Sequence, residues 1–251
     1  MSSISKEKRP VAIITGGARG IGKAIAMRLA GEGIHTVLLD IDEQALISAS
    51  QELVSLGYSA QWFMVDISMP KEISKAVEAV FETHGSIDIL VNNAGILSTA
   101  NILEIDENEW NRVMDINVKG PAFMTQSVLK YMTAAKKGRI INISSLAGRN
   151  GGLKTGTAYS VSKAAVIGLT KRTARFAAEY GITVNSVAPG TAATDMVQGF
   201  SDEQMASLLQ NIPMGRLTQP EEIAAAVAFL ASDLARSITG VVLDVNGGMY
   251  F

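Results

Sequence analysis

The sequence predicts a single α/β domain built on a doubly wound parallel sheet of about seven strands with helices on both faces. Short β-branched runs alternate with longer helical patterns along the whole chain, which is typical of right-handed β-α-β crossovers. Several of these runs are apolar at consecutive positions, as expected for strands that are buried on both faces.

The strand candidates are short apolar runs, most of which end in Gly, Asp, Asn or Ser. They cover 11–16, 36–40, 60–66, 88–95, 138–145, 182–190 and 240–248. Helical patterns cover 20–32, 42–56, 70–84, about 107–136, 158–180, 201–210 and 220–232. No repeat or linker interrupts them, so we predict an N-terminal tail at 1–9 and one domain over 10–251, with a lid at about 191–216.

The composition of the 251 residues excludes several classes of protein. The net charge of −2 offers no basis for binding nucleic acid or an anionic membrane, and the absence of cysteine excludes disulfides. His35 and His84 are far apart in the sequence and lack the spacing of metal ligands, so we expect no metal site. The chain has no apolar signal core and no run of about 18 apolar residues, which predicts a cytoplasmic protein.

A glycine-rich turn, "TGGARGIG" at 15–22, joins the first strand to the first helix. Gly16, Gly20 and Gly22 let the backbone approach a pyrophosphate at the helix N-terminus, where free N–H groups and the helix dipole favour negative charge. The alternative is an ordinary tight connection. Asp40 favours the dinucleotide site, because an acid that ends the second strand about 20 residues further on can accept hydrogen bonds from a ribose.

The same acid predicts which dinucleotide binds. The Asp40 carboxylate would repel the 2′-phosphate of NADP, so NAD is the expected cofactor and NADP the less favoured one. Arg19 argues in the other direction, because a guanidinium in the glycine turn can contact that phosphate. We give the carboxylate more weight, since an unpaired like charge is costly whereas an additional arginine is optional.

Tyr159 and Lys163 lie four residues apart in the helical pattern 158–180, so their side chains share one face. A cation next to a phenol favours its ionised form and lowers its pKa. The same spacing also occurs by chance on ordinary amphipathic helices, and its meaning depends on the other motifs of the chain.

With the glycine turn, "NNAG" at 92–95, "SS" at 144–145 and Tyr159-x-x-x-Lys163 in this order, the chain closely resembles the short-chain dehydrogenase/reductase family from about residue 10 to its C-terminus. The resemblance implies a Rossmann-like fold and a catalytic tetrad of Asn117, Ser145, Tyr159 and Lys163. The residues expected at the cofactor are Gly16, Arg19, Gly20, Ile21, Gly22, Asp40, Ile41, Asp66, Ile67, Asn93, Ala94, Gly95, Tyr159, Lys163, Pro189, Gly190, Thr191, Ala192 and Thr194. Of these, the resemblance implies that Asp66 and Ile67 flank the adenine and that the segment 189–195 lies over the nicotinamide.

The resemblance also implies a role for each member of the tetrad. Tyr159 would exchange the substrate proton as a phenolate stabilised by Lys163 and the nicotinamide, and Lys163 would also bind the nicotinamide ribose. Ser145 would stabilise the charge that develops on the substrate oxygen. Asn117 would hold a water that links Lys163 to solvent; the alternative is that it bonds to backbone in a kinked helix. Ser144 is expected to be structural.

The sequence says less about the substrate than about the cofactor. We expect contacts from 96–101, the Gly-rich loop 146–157 and the lid, with Arg149 and Lys154 as the candidates for binding an anionic group. The C-terminal half is similar to 3-oxoacyl-(acyl carrier protein) reductases, which use NADPH and dock their carrier on basic residues. The first docking position lies just before the fifth strand, where Lys136 and Lys137 fit it. The second lies near the end of the helix that carries Tyr159, and there Tyr180 stands in place of a basic residue.

From the sequence we therefore favour an NAD-dependent dehydrogenase of a small alcohol, polyol or sugar, similar to butanediol and polyol dehydrogenases. The alternative is NADPH-dependent 3-oxoacyl thioester reduction, and the third hypothesis is a non-catalytic cofactor-sensing or scaffold protein. The family resemblance also implies a homo-oligomer, with a tetramer favoured, formed through 107–136, 158–180 and the last strand.

Overall fold

The strands of the protein form one parallel sheet. The computed structural model describes residues 9–152, 155–193 and 201–251. The strands are β1 (Val11–Thr15), β2 (His35–Asp40), β3 (Ala60–Met64), β4 (Ile89–Asn92), β5 (Gly138–Ile143), β6 (Ile182–Pro189) and β7 (Val242–Val245). Within the described residues they lie in the order β3-β2-β1-β4-β5-β6-β7. The order reverses between β1 and β4, which opens a crevice at the carboxyl ends of the strands. The predicted fold class is confirmed.

The helices follow the predicted pattern with two differences. They are α1 (Gly20–Gly31), α2 (Glu43–Ser55), α3 (Pro70–His84), α4 (Glu107–Met114), α5 (Gly120–Ala135), α6 (Ala147–Asn150), α7 (Thr157–Ala177), α8 (Asp202–Leu209) and α9 (Pro220–Ala231). The helix predicted over 107–136 is divided by a π-helical turn at Asp115–Lys119. The short helix α6 lies inside the loop predicted over 146–157.

Each face of the sheet carries its own hydrophobic core. On one face Ile14 packs with Leu29 of α1, and on the other Ile13 packs with Val80 of α3 and Met124 of α5. Successive residues of a strand point to opposite faces, so a strand covered on both sides is apolar at every position. The unbroken apolar runs of the sequence have this origin.

Local signals set the ends of the helices around the site. The Asp42 side chain caps α2 by accepting a hydrogen bond from the Ala45 N–H. Pro70 opens α3, and Gly85 ends it with a φ of 66°, in the left-handed region that favours glycine.

The two histidines lie together, although they are far apart in the sequence. His35 begins β2 and His84 ends α3, and their ring centroids are 4.3 Å apart. His35 Nδ1 lies 2.7 Å from Ser59 Oγ, and His84 Nε2 lies 2.9 Å from Gln61 Oε1. Their separation along the chain therefore did not exclude a shared site. Among the described residues no group of three or more His, Asp or Glu side chains is arranged to hold a metal ion.

No helix in the described ranges combines the length and the apolar character that crossing a membrane requires.

Candidate active site

The glycine turn brings two backbone segments into very close contact. Gly16 has a φ of 62°, and a Cβ atom added at Gly22 would lie 2.0 Å from the Gly16 carbonyl oxygen and 2.6 Å from Asn93 Nδ2. Helix α1 begins directly after this turn, and its N-cap residue Arg19 makes no side-chain capping bond. The N–H groups of the first turn are thus available to an anion, as the sequence predicts.

Thr15 and Asn93 hold the glycine turn against the end of β4. Asn93 Nδ2 donates to the carbonyl oxygens of Thr15 and Gly16, both at 3.0 Å. The buried Thr15 Oγ1 accepts from the N–H groups of Asn93 and Ala94, also at 3.0 Å. Thr15 was not among the site residues predicted from the sequence. Its only signal is a hydroxyl at the last buried position of β1, directly before the glycines.

Asp40 ends β2 beside the glycine turn. Its Oδ2 lies 3.4 Å from the Ala18 nitrogen and its Oδ1 lies 2.8 Å from the Ile41 nitrogen, so both oxygens accept backbone N–H groups. Ile41 is 69% exposed and provides an apolar surface next to this carboxylate. The Arg19 guanidinium forms an ion pair with Asp42 on the same surface. This arginine already has a carboxylate partner within the chain.

The residues expected near the adenine follow β3. Asp66 Oδ1 accepts the Ser68 N–H at 2.8 Å, which closes a turn. Ile67 is buried, and a Cβ atom added at Gly120 would lie 2.8 Å from Ile67 Cδ1. The turn after β3 therefore rests on the start of α5.

The structure brings the predicted tetrad together at the ends of β4 and β5. Lys163 Nζ donates to the Ile143 carbonyl oxygen at 2.9 Å and lies 5.7 Å from the centroid of the Tyr159 ring. The Ser145 hydroxyl hydrogen-bonds the Tyr159 phenol. A Cβ atom added at Gly95 would lie 3.3 Å from Lys163 Nζ and 3.1 Å from Asn117 Oδ1. A side chain at this position would crowd both polar atoms.

Burial governs the ionisation of the pair on α7. It raises the pKa of the Tyr159 phenol, and the hydrogen bond from Ser145 opposes this change without reversing it. Burial also lowers the pKa of the Lys163 ammonium to about 8. The predicted lowering of the phenol pKa by Lys163 is therefore wrong for the protein's own groups, because removing the phenol from water has the larger effect.

The amide oxygen and the amide nitrogen of Asn117 both form hydrogen bonds within the protein. Its Oδ1 accepts the Ile96 N–H at 2.8 Å, and its Nδ2 donates to the Ile96 carbonyl oxygen at 2.9 Å and to Ser162 Oγ at 3.0 Å. This is the backbone-bonding alternative, in a helix interrupted by a π-helical turn. The side chain links the segment after "NNAG" to α7, and its role in a proton path stays a prediction.

Two hydroxyls order the segment after β5. Ser144 Oγ donates to the Lys163 carbonyl oxygen at 3.0 Å, which gives this residue the structural role predicted for it. Ser145 Oγ accepts the Ala147 N–H at 3.1 Å at the start of α6. A Cβ atom added at Gly148 would lie 2.6 Å from the Lys163 carbonyl carbon, so α6 packs directly on α7.

The segment expected over the nicotinamide leaves the end of β6. The Pro189 carbonyl oxygen accepts the Leu146 N–H at 2.8 Å, and the Gly190 N–H donates to the Val245 carbonyl oxygen at 3.0 Å. Thr191 and Ala192 pair with Thr218. Thr194, Met196 and Phe200 of the predicted lid, and Lys154 of the predicted substrate loop, lie outside the described residues.

Arg149, a candidate for binding an anionic substrate, is already paired. Its guanidinium lies 3.1 Å from Asp244 Oδ2. A cation that is held by a carboxylate of the same chain has less charge to offer a ligand, so this part of the expectation is not supported.

Residues 16–250 match the family model described as enoyl-(acyl carrier protein) reductase. The 3-oxoacyl-[acyl-carrier-protein] reductase FabG of Vibrio cholerae is 42% identical over 240 residues, which cover 96% of this chain and 97% of that protein. The Escherichia coli protein of the same name is 41% identical over 242 residues, with the same coverage. The crystal structure of gox2181 is 33% identical in sequence and has a TM-score of 0.92. The match covers 96% of this chain and 96% of that chain.

Proposed function

The chain belongs to the short-chain dehydrogenase/reductase family, and from this premise we propose that it reduces the keto group of a 3-oxoacyl thioester. The observation that carries the substrate class is the similarity to 3-oxoacyl-[acyl-carrier-protein] reductases over nearly their full length. It favours thioester reduction, the alternative of the sequence analysis, over oxidation of a polyol or sugar. The assignment as an oxidoreductase of this family holds for either substrate.

The protonation state of Tyr159 is compatible with reduction. Burial raises the pKa of this phenol, which favours its protonated form. A group that holds its proton and is hydrogen-bonded to Ser145 suits a general acid, which reduction of a ketone requires.

The chain's side chains then have distinct tasks. A bound dinucleotide would supply a hydride for the keto carbon. Tyr159 gives its proton to the keto oxygen, so that one hydride and one proton convert the ketone to a secondary alcohol. The Ser145 hydroxyl stabilises the negative charge that develops on this oxygen. The Lys163 ammonium, 5.7 Å from the ring, stabilises the tyrosinate that remains.

The residues present fit a dinucleotide. The turn at Gly16 and Gly22 is too tight for a Cβ atom, and the uncapped start of α1 that follows it offers N–H groups to a pyrophosphate. Asp40 is positioned to accept hydrogen bonds from the adenosine ribose. Lys163 uses one donor on Ile143, which leaves two for the nicotinamide ribose.

We further propose that NADH is preferred over NADPH, although the resemblance to acyl carrier protein reductases implies NADPH. Asp40 and Asp42 put two carboxylates beside the glycine turn, and Asp42 already pairs with Arg19, a cation within that turn. Two negative charges with one shared cation favour the dinucleotide without the additional phosphate.

The 3-oxoacyl thioester can be attached to either of two groups, a carrier protein or coenzyme A. Lys136 and Lys137 are exposed, and Lys137 Nζ lies 3.7 Å from Asp88. At the second docking position Tyr180 packs against Phe176, with 5.6 Å between ring centroids. A carrier protein and coenzyme A share the 3-oxoacyl thioester, and this shared chemistry is what we propose.

The test follows nicotinamide absorbance with NADH and NADPH in separate arms. The substrates are acetoacetyl coenzyme A, an acetoacetyl carrier protein, and a panel of polyols and hydroxy ketones. We expect the largest kcat/KM for one of the thioesters with NADH. Faster oxidation of a polyol would establish the other dehydrogenase hypothesis, and tight NADH binding without any turnover would favour a cofactor-sensing protein. In the control, Tyr159→Phe should lose at least about 100-fold in kcat and still bind NADH.

A further inference from the structure

An ion pair that the proposed chemistry does not use connects α6 to the C-terminal segment. Arg149 Nη2 lies 3.1 Å from Asp244 Oδ2, and only 24% and 23% of these two side chains are exposed. The guanidinium carbon lies 4.6 Å from the centroid of the Tyr250 ring, within the range of a cation–π contact. Arg149 and the two C-terminal residues Asp244 and Tyr250 thus form one cluster, the Arg149 cluster.

One side of the Arg149 cluster is joined directly to Ser145. Arg149 lies in α6, and the first turn of this helix bonds to Ser145 twice. The Ala147 N–H donates to Ser145 Oγ at 3.1 Å, and the Gly148 N–H donates to the Ser145 carbonyl oxygen at 3.0 Å. A movement of α6 therefore moves the hydroxyl that faces Tyr159.

The other side of the cluster belongs to the sheet edge beside the expected nicotinamide segment. Asp244 pairs with Ala188 across β6 and β7, one residue before Pro189. The Pro189 carbonyl oxygen in turn accepts the Leu146 N–H at 2.8 Å. The hydrogen bond joins the segment 146–149 to β6, and the ion pair joins it to the neighbouring strand β7.

The pair is formed at a cost in desolvation. Burial raises the pKa of Asp244, and the charge and hydrogen bond of Arg149 act in the opposite direction. Arg149 Nε and Asp244 Oδ1 have no hydrogen-bond partner in the part of the chain that the structure describes. Asp244 also lines a cavity of about 300 Å³, so packing alone does not fix its orientation.

We propose that Arg149, Asp244 and Tyr250 are positioning residues, which hold the Ser145 turn against the ends of β6 and β7 and thereby set the placement of the Ser145 hydroxyl relative to Tyr159. The kinetic part of this inference rests on the proposed function. Its structural part, the attachment of α6 to β7, does not.

The test compares Asp244→Asn, Arg149→Met and Tyr250→Leu with a matched control. In the control, Asp233→Asn removes the partner of Arg139, an ion pair that also measures 3.1 Å but lies at the opposite end of β5. Hydrogen–deuterium exchange of the backbone over 143–152 reports the attachment of α6, and the unfolding midpoint and NADH Kd report the rest of the molecule. Steady-state kinetics with the best substrate of the panel separates kcat from KM.

We expect the three cluster variants to exchange faster over 143–152 and to lose about tenfold in kcat/KM, with unchanged NADH Kd, because small displacements of a catalytic group are costly. Asp233→Asn should change neither exchange nor kinetics. A lower unfolding midpoint with unchanged exchange and kcat/KM would reduce the cluster to a stabilising contact and overturn the inference. If the wild-type protein turns over no substrate, the proposed function fails, and the exchange measurement still decides the attachment.

Discussion

Lys163 Nζ donates a hydrogen bond to the Ile143 carbonyl oxygen over 2.9 Å, at the point where β5 ends and the predicted site begins. The Ser144 hydroxyl returns a hydrogen bond to the Lys163 carbonyl oxygen at 3.0 Å. The two bonds fasten α7 to the end of β5 directly before Ser145. The end of β5 therefore positions the Lys163 ammonium as much as helix α7 does.

The first prediction concerns pH. Burial lowers the pKa of Lys163 to about 8, so the ammonium loses its charge as the pH rises through this value. We expect kcat/KM for reduction to be full below about pH 8 and to fall above it. In Lys163→Arg this fall should disappear, although the activity will be lower, because a guanidinium keeps its proton over the whole range. A wild-type profile that stays flat well above pH 8 would contradict the assignment.

The second prediction concerns the choice of dinucleotide. Asp42→Asn keeps the N-cap of α2 but removes the charge that pairs with Arg19, which frees this guanidinium for a 2′-phosphate. We expect the ratio of NADPH to NADH Kd, measured by fluorescence, to fall by roughly threefold, because an exposed ion pair has only a small effect. For Asp40→Ala the fall should reach roughly tenfold.

The control for this experiment is Glu52→Gln. It removes a second exposed ion pair between α1 and α2, that of Lys23 and Glu52, without touching the turn. An equal shift in the ratio for this variant would show that general surface charge, and not Asp42, sets the preference.

The third prediction concerns Thr15. Its hydroxyl accepts two backbone N–H groups, from Asn93 and Ala94, and Thr15→Val leaves both without an acceptor. We expect a loss of about 2 kcal/mol in the free energy of unfolding, measured with denaturant, together with weaker NADH binding as the turn loosens.

Thr36 provides the matched comparison, because it is also fully buried, in the neighbouring strand β2. Its hydroxyl has no hydrogen-bond partner among the described residues. Thr36→Val should therefore be neutral or stabilising. If both variants lose the same free energy, the two hydrogen bonds to Thr15 are not what holds the turn.

The fourth prediction concerns acid stability. Burial, followed by the charges of His84 and Arg9, lowers the pKa of His35 from 6.5 to about 4. Between these values the unfolded chain binds the proton and the folded chain does not, so stability is full above about pH 6.5 and falls as the pH drops toward 4. His35→Asn should make the unfolding free energy less dependent on pH in this window. An unchanged slope would mean that folding does not lower the pKa of this ring.

Much of the site was predictable because its signals are local. The strand candidates at 11–16, 36–40 and 138–145 end within about two residues of the observed strands, since apolar periodicity is set by each segment's own burial. The carboxyl ends of parallel strands meet at one edge of the sheet. Residues that follow them, such as Asp40 and Ser145, therefore had to lie at the same crevice.

Other features could not be read from local pattern. The partner of Arg149 is 95 positions further along the chain, and the partner of His35 is 49 positions away. The sign of the Tyr159 pKa shift was also out of reach. The spacing of Tyr159 and Lys163 predicts attraction between a cation and a phenolate, but only the packed structure states how much water the phenol loses.

The sequence by itself therefore determined the order of strands and helices, the glycine turn and the side chains that gather at the sheet edge, because spacing and periodicity act within a few residues. Tertiary structure alone decided which polar groups pair, which ones are desolvated and which way their pKa values move. These properties depend on neighbours that folding brings together from far along the chain.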